Sequence, residues 1–287
     1  MRLWLLSPRG GKRASDRRPK PVARVRRDRA LAKAIAADAI DIRFQPQIDV
    51  VTGEVVAVEA LARWDGAPSA EALFARAAEA QLAERLSRAV QRKALRAVGR
   101  WDGALRQLRV AINLLAADLV RPGYEHWLLG EIAAAGLEPR RVTVEITEGT
   151  LLADMDAAAG CLATLRSAGV KIAVDDFGTG YASLAYLTSL PLDTLKIDRG
   201  LIAHLVGGTR DQIVVKALLA LARELHLQVV VEGVETLAQL ALLTEWQCDV
   251  YQGFLGSGAL DETALLRFVE LTAERNARAA APAMVRA

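Results

Sequence analysis

Short, dense apolar runs alternate with longer Ala- and Leu-rich stretches of helical spacing along most of the chain. Runs of Val, Ile and Leu without strict alternation read as strands covered on both faces. They fall at 42–49 (IRFQPQID), 54–64 (EVVAVEALARW), 108–114 (LRVAINL), 142–148 (VTVEITE), 172–174 before a pair of acids, 193–198 (DTLKID), 227–233 (LQVVVEG) and 248–253 (CDVYQG). Helices are predicted at 28–42, 69–80, 82–100, near 124–135, near 155–168, and at 211–225, 236–246 and 261–274. Thr52-Gly53 predicts a tight turn after the first strand, and Pro46 inside that strand suits an edge or irregular position. Alternating strands and helices call for parallel strands joined by helical crossovers. About eight such units in 287 residues fit an α/β fold of the (β/α)8 TIM-like barrel type. A doubly wound sheet would want a Gly-rich phosphate turn after its first strand, and TGEV is only a tight turn.

Charge divides the chain. Residues 1–30 hold 11 Lys/Arg against Asp16 and Asp28, a net of +9, which leaves the remainder at −6 within a whole-chain +3. The expected organisation is a basic arm at 1–30, a barrel at 31–275 and a frayed tail at 276–287. The arm is expected to be a solvated, disordered tail; contact with anionic lipid or nucleic acid is the alternative, and no specific nucleic-acid partner is expected. No apolar run reaches the roughly 18 residues that span a bilayer. Trp4-Leu5-Leu6 is too short for a signal-peptide core, so a cytoplasmic location is expected. Cys161 and Cys248, without CxxC spacing, read as core residues rather than a disulfide or zinc site.

Where each apolar run turns polar, the residues are Glu59, Asn113, Glu145, Asp175 with Asp176, Lys196, Glu232 and Gln252. In a barrel those strand ends share one face, so the scattered side chains converge on one pocket. Adjacent carboxylates such as Asp175 and Asp176 repel each other unless a cation neutralises them. Neither His nor Cys stands at a strand end, and oxygen-only sites suit magnesium, manganese or calcium. His126, His204 and His226 fall in or beside helices and are assigned to surface or helix-end roles. An acid shared between two cations would make a two-metal clamp for attack on a phosphodiester, with Lys196 opposing developing negative charge. Taken singly, each acid also reads as a helix cap or solvated turn residue, and Lys196 as one half of a structural ion pair.

The chain resembles the EAL-domain phosphodiesterases that hydrolyse cyclic di-GMP. The resemblance rests on Gln45-Pro46, Glu59-Ala60-Leu61 with Arg63-Trp64, Asn113, Glu145-Ile146-Thr147-Glu148, Asp175 to Gly180, Lys196 to Arg199, Glu232 to Thr236, and Gln252-Gly253, over about 42–270. It implies two divalent cations, Mg²⁺ or Mn²⁺: Glu59, Asn113, Glu145 and Asp175 on the first, Asp175 with Asp176 on the second. It further implies that Lys196 and Glu232 position the attacking water and that Gln252 hydrogen-bonds within the site. Gln45, Leu61 and Arg63 would hold the dinucleotide, and Glu148 and Glu235 would brace the loop 177–184, which leads to a homodimer interface. The implied reaction opens one phosphodiester of cyclic di-GMP to give linear 5′-pGpG.

Three departures stand out: only Asp65-Gly66-Ala67-Pro68 follows Trp64, Ser257-Gly258-Ala259 replaces the usual Ser-Arg-Pro, and Leu115 replaces a Ser. They bear on substrate affinity more than on the acids. With no room for a sensory or cyclase domain, input is expected from a partner in trans, from dimerisation or from expression level. The competing readings are a receptor that binds cyclic di-GMP without cleaving it, a Schiff-base enzyme using Lys196, and a tether whose function lies in residues 1–30. Among them, the carboxylate crowd disfavours the Schiff base, because it keeps the amine protonated.

Overall fold

The computed structural model describes residues 28–147, 155–178 and 184–280. Eight strands close a barrel in chain order: β1 (Asp41–Asp49), β2 (Val55–Arg63), β3 (Arg109–Asn113), β4 (Val142–Thr147), β5 (Lys171–Phe177), β6 (Thr194–Ile197), β7 (Gln228–Val231) and β8 (Val250–Tyr251). From β2 to β8 each neighbouring pair is parallel. The expectation of parallel strands fails at β1, which runs antiparallel to both β2 and β8. The cause is the short connection. Asp49 Oδ1 accepts the Val51 and Thr52 N–H groups at 3.0 and 2.7 Å, and Gly53 takes φ +68°, so the chain folds back as a hairpin without a crossover helix. The start of β1 therefore lies on the face where the other strands end, with Asp41 opposite Arg63.

Pro46 sits between the Phe44–Leu260 bridge and the Ile48–Tyr251 pair, in a gap of the ladder on that edge, as its missing N–H requires. In β4, Val142, Val144 and Ile146 are buried in the layer shared with the helices, and the period of two turns Glu145 to the opposite side, into the barrel. Leu95, Leu128, Leu162 and Val215 from the surrounding helices join the same core. The closing helix, Glu262–Ala280, runs past the expected end at 274. One-turn helices such as Ala116–Leu119 and Arg199–Ile202 escaped the sequence reading because four residues carry no amphipathic period. Among the described residues no helix is long and apolar enough to cross a membrane. Cys161 and Cys248 are free and buried, as read from the sequence.

A clamp ties the first described helix to the loop after Trp64. Asp28 caps the helix Arg29–Ala36 through the Leu31 N–H at 3.0 Å and pairs with Arg76 through both carboxylate oxygens. Arg76 also donates to the Gly66 carbonyl at 2.8 Å and lies 4.9 Å over the Trp64 ring. A Cβ on Gly66 would meet that ring at 2.4 Å, so the short loop after Trp64 closes only around glycine.

Hydrogen bonds from Arg76, then from the Leu31 backbone, hold the Asp28 carboxyl at about 2 against an ordinary 3.8. A depressed acid contributes stability above its unfolded pKa and loses it as pH falls through the folded value. Asp28→Asn, which keeps a capping oxygen, is therefore expected to lower Tm by no more than about 4 °C at pH 7. Thermal melts should show the difference shrinking below about pH 4 and gone near pH 1; an undiminished difference at low pH would mean that the pair's charge is irrelevant.

Candidate active site

Seven strands deliver the polar cluster to the barrel mouth. Glu59 comes from β2, Asn113 from β3, Glu145 from β4, Asp175 from β5 and Lys196 from β6, while Glu232 directly follows β7 and Gln252 directly follows β8. Lys196 is the centre: its side chain is 1% exposed, and Nζ lies 2.8 Å from Glu232, 3.0 Å from both Glu145 and Asp175, and 3.5 Å from Glu59. One ammonium thus holds four carboxylates from four strands.

Adjacent residues of a regular strand point to opposite faces, so Asp175 and Asp176 cannot both reach one site without a break. The break is present. The β5–β6 register shifts between Val174 and Phe177, and Asp176 takes φ +55°, a left-handed conformation that Asp tolerates better than most side chains. The Asp176 N–H donates to Asp175 Oδ1 at 2.9 Å, which fixes the first acid.

An amide ladder orients Glu59. Asn113 Nδ2 donates to its Oε1 at 2.9 Å and Gln252 Nε2 to its Oε2 at 2.7 Å. Gln252 Nε2 also reaches Gln45 Oε1 at 3.2 Å, Gln47 Nε2 donates to Gln252 Oε1 at 3.0 Å, and Gln45 Nε2 donates to the Ser257 carbonyl at 3.3 Å. Gln47 was missed in the sequence, although the Gln-Pro-Gln spacing puts 45 and 47 on one strand face.

Burial and repulsion set the charges. Burial works against the charged form of Glu59, but Lys196, Gln252 and Asn113 together hold its carboxyl below the ordinary value. Glu145 is pushed well up by burial, with Glu59, Asp175 and Glu232 adding repulsion that Lys196 only partly offsets. Asp176 rises to about 6 through burial and then the nearby Asp175 and Asp198. Glu232 rises to about 7, again mainly through burial. Burial disfavours the Lys196 ammonium, yet Asp175, Glu145, Glu232 and Glu59 overcome it and raise its pKa. An amine so held does not act as a carbonyl nucleophile, which removes the Schiff-base reading.

The donor set fits hard cations. Oxygens of Glu59, Glu145 and Asp175 lie within 4.8 Å of one another, and so do those of Asp175, Asp176 and Glu232. Asp175 belongs to both groups. Glu145 Oε2 is buried without a hydrogen-bond partner, so an acceptor is left over for a ligand. All of these donors are carboxylate oxygens, the chemistry of magnesium, manganese or calcium.

Gln45, Leu61 and Arg63 lie half-buried on the adjoining wall formed by β1 and β2, with Arg63 Nη1 donating to the Ala62 carbonyl at 2.9 Å. Glu235 is exposed, and its backbone N–H donates to Gln239 Oε1 at the start of the helix Leu237–Glu245. Glu148 and most of the loop it was expected to brace lie outside the described residues. The open groove of about 780 Å³ lies at the rim, between the start of β1 and the helix Glu262–Ala280, rather than over the acids.

Fold and site together define a closed barrel carrying a buried, oxygen-only acid cluster at the C-terminal ends of its parallel strands. Residues 28–259 match the EAL domain model, and the chain belongs to that family. It is 38% identical over 244 residues to the cyclic di-GMP phosphodiesterase NbdA of Pseudomonas aeruginosa, covering 83% of this chain and 31% of NbdA. It therefore spans about a third of that curated relative. The PaMucR phosphodiesterase in complex with c-di-GMP superposes with a TM-score of 0.76 at 35% identity, covering 82% of this chain and 97% of that one. The EAL domain of Mycobacterium smegmatis DcpA gives a TM-score of 0.70, also at 35% identity, over 80% and 96%.

Removing the central ammonium tests the electrostatic account. Lys196→Met should destabilise the metal-free protein by about 3–5 kcal/mol, the cost of leaving buried charges unpartnered. Added Mn²⁺ should then raise its Tm by more than it raises that of the unsubstituted protein, as scanning calorimetry in EDTA and in Mn²⁺ would show. Equal Mn²⁺ shifts would mean that Lys196 does not compete with cations for these acids.

Proposed function

We propose that the barrel, residues 31–275, hydrolyses cyclic di-GMP to linear 5′-pGpG with two divalent cations, Mg²⁺ or Mn²⁺, and so lowers the level of that messenger. The observation that carries this reading is the pair of overlapping carboxylate groups sharing Asp175 beside the wall that bears Gln45 and Arg63. Membership of a family whose relatives include NbdA and PaMucR supports the choice of substrate. Glu59, Asn113, Glu145 and Asp175 would hold one cation, and Asp175 with Asp176 the other. When bound, such a pair supplies charge neutralisation and an activated water for in-line attack.

The chain's own residues do the remainder. Lys196, kept charged by its four acids, opposes negative charge building on the phosphoryl oxygens. Glu232 sits at the edge of the cluster, its Oε1 2.8 Å from Lys196 Nζ, where its carboxylate orients water and takes up a proton. Gln252 keeps Glu59 facing the site. Arg63 offers a planar fork suited to phosphate or guanine, and Leu61 an apolar surface for the base.

Purified protein with cyclic di-GMP should form pGpG in Mg²⁺ or Mn²⁺ and none in EDTA. Glu59→Ala and Asp175→Ala should each lower kcat at least about a hundredfold, since each removes a ligand. Chromatography of the nucleotides decides it. Binding without pGpG in excess metal would make the chain a receptor instead.

A further inference from the structure

Cyclic di-GMP carries two phosphodiesters, and the acid centre engages one. In β1 the alternation that turns Gln45 and Gln47 inward turns Arg43 inward too, one repeat nearer the mouth. Gln45 stands opposite Glu59, Arg43 opposite Leu61, and Asp41 opposite Arg63. Arg43 and Arg63 are thus diagonal neighbours on one face, about 7–8 Å apart at the backbone, and form a basic wall above the acids.

Arg43 is also oriented before any ligand arrives. Its Nη1 donates to Asp261 Oδ2 at 2.8 Å, and Asp261 is fixed in turn because its Oδ1 accepts the Ala264 N–H at 2.8 Å. The Arg43 side chain is 39% exposed, and no other hydrogen bond from it is found among the described residues. Asp261, at 55% exposure, is screened by solvent and orients the guanidinium more than it neutralises it. Arg43 lines the rim groove together with Ser257, whose carbonyl accepts from Gln45, so groove and site share a wall.

Charge balance points the same way. Glu59, Glu145, Asp175, Asp176 and Glu232 meet one cationic side chain, Lys196, so the centre is acidic and offers no spare cationic side chain to a phosphate. The cationic side chains of the adjoining wall are Arg43 and Arg63, at the rim.

We propose that Arg43 binds the phosphodiester that is not attacked, and thereby favours a ring with two phosphates over a substrate with one. The inference rests on the phosphodiesterase reading above. The test is binding of cyclic di-GMP to the full chain by calorimetry in Ca²⁺, with KM and kcat in Mn²⁺, for Arg43→Ala, Arg43→Gln, Arg43→Lys and Arg267→Ala. Arg267 lines the same groove from the helix Glu262–Ala280 and controls for general positive charge.

Arg43→Ala should raise Kd and KM about tenfold, the scale of one charge-assisted hydrogen bond, with a smaller change in kcat. Arg43→Gln, closer in size, should do the same if the Ala variant melts early, and Arg43→Lys should fall between. Arg267→Ala should behave as the unsubstituted chain. On bis(p-nitrophenyl) phosphate, which has a single phosphodiester, the Arg43 effect should largely vanish. Unchanged Kd and KM in both Arg43→Ala and Arg43→Gln, or an equal shift in Arg267→Ala, would overturn the role of Arg43 alone. Failure of the unsubstituted chain to bind or cleave the ring would overturn the phosphodiesterase reading and this one with it.

Discussion

Carboxylates from four strands meet in the barrel interior, where burial penalises each charge and each charge repels the others. Lys196 is the group that makes the arrangement tolerable, reaching all four within 3.5 Å from a position that is 1% exposed. A single ammonium cannot balance them, and the remainder appears as the raised pKa values of Glu145, Asp176 and Glu232 and the unsatisfied Oε2 of Glu145. The barrel closes around this deficit because the surrounding Val, Ile and Leu layer supplies the stability that the polar centre costs.

Two backbone irregularities give the cluster its shape. The bulge at Asp176 turns two neighbouring acids toward one place, where a regular strand would have sent one of them into the helix layer. The reversal of β1 brings the amide face of Gln45 and Gln47 down the barrel beside Glu59, and leaves Arg43 at the mouth. A parallel first strand would have placed its opening residues at the far end of the barrel. Both features sit next to glycine or Asp, residues that accept positive φ at small cost.

Much of this was legible in the sequence because barrel strands buried on both faces betray themselves as Val/Ile/Leu runs, and their polar ends then list the site. Glu59, Asn113, Glu145, Asp175, Asp176, Lys196, Glu232 and Gln252 were read this way, and the structure brings them together. The direction of β1 was not legible, since a hydrophobic run has no polarity, although the Thr52-Gly53 turn already signalled that no crossover helix follows. Gln47, Asp198, and the Asp28–Arg76 clamp were missed for another reason. Each matters through a partner distant in sequence, or through the field at Asp176, and neither spacing nor periodicity reports such pairings.

The same electrostatics bears on the choice between the proposed hydrolysis and simple binding. A cyclic dinucleotide is itself an anion, and a buried cluster of acids repels it unless cations stand between them. A pocket selected only to hold that ligand would be better served by fewer buried carboxylates and by more basic residues at its floor. This chain keeps its basic residues Arg43 and Arg63 at the rim and its acids at the floor, sharing Asp175 between two oxygen groups. That division of charge suits a substrate gripped at its periphery while the phosphodiester under attack is held against neutralised acids.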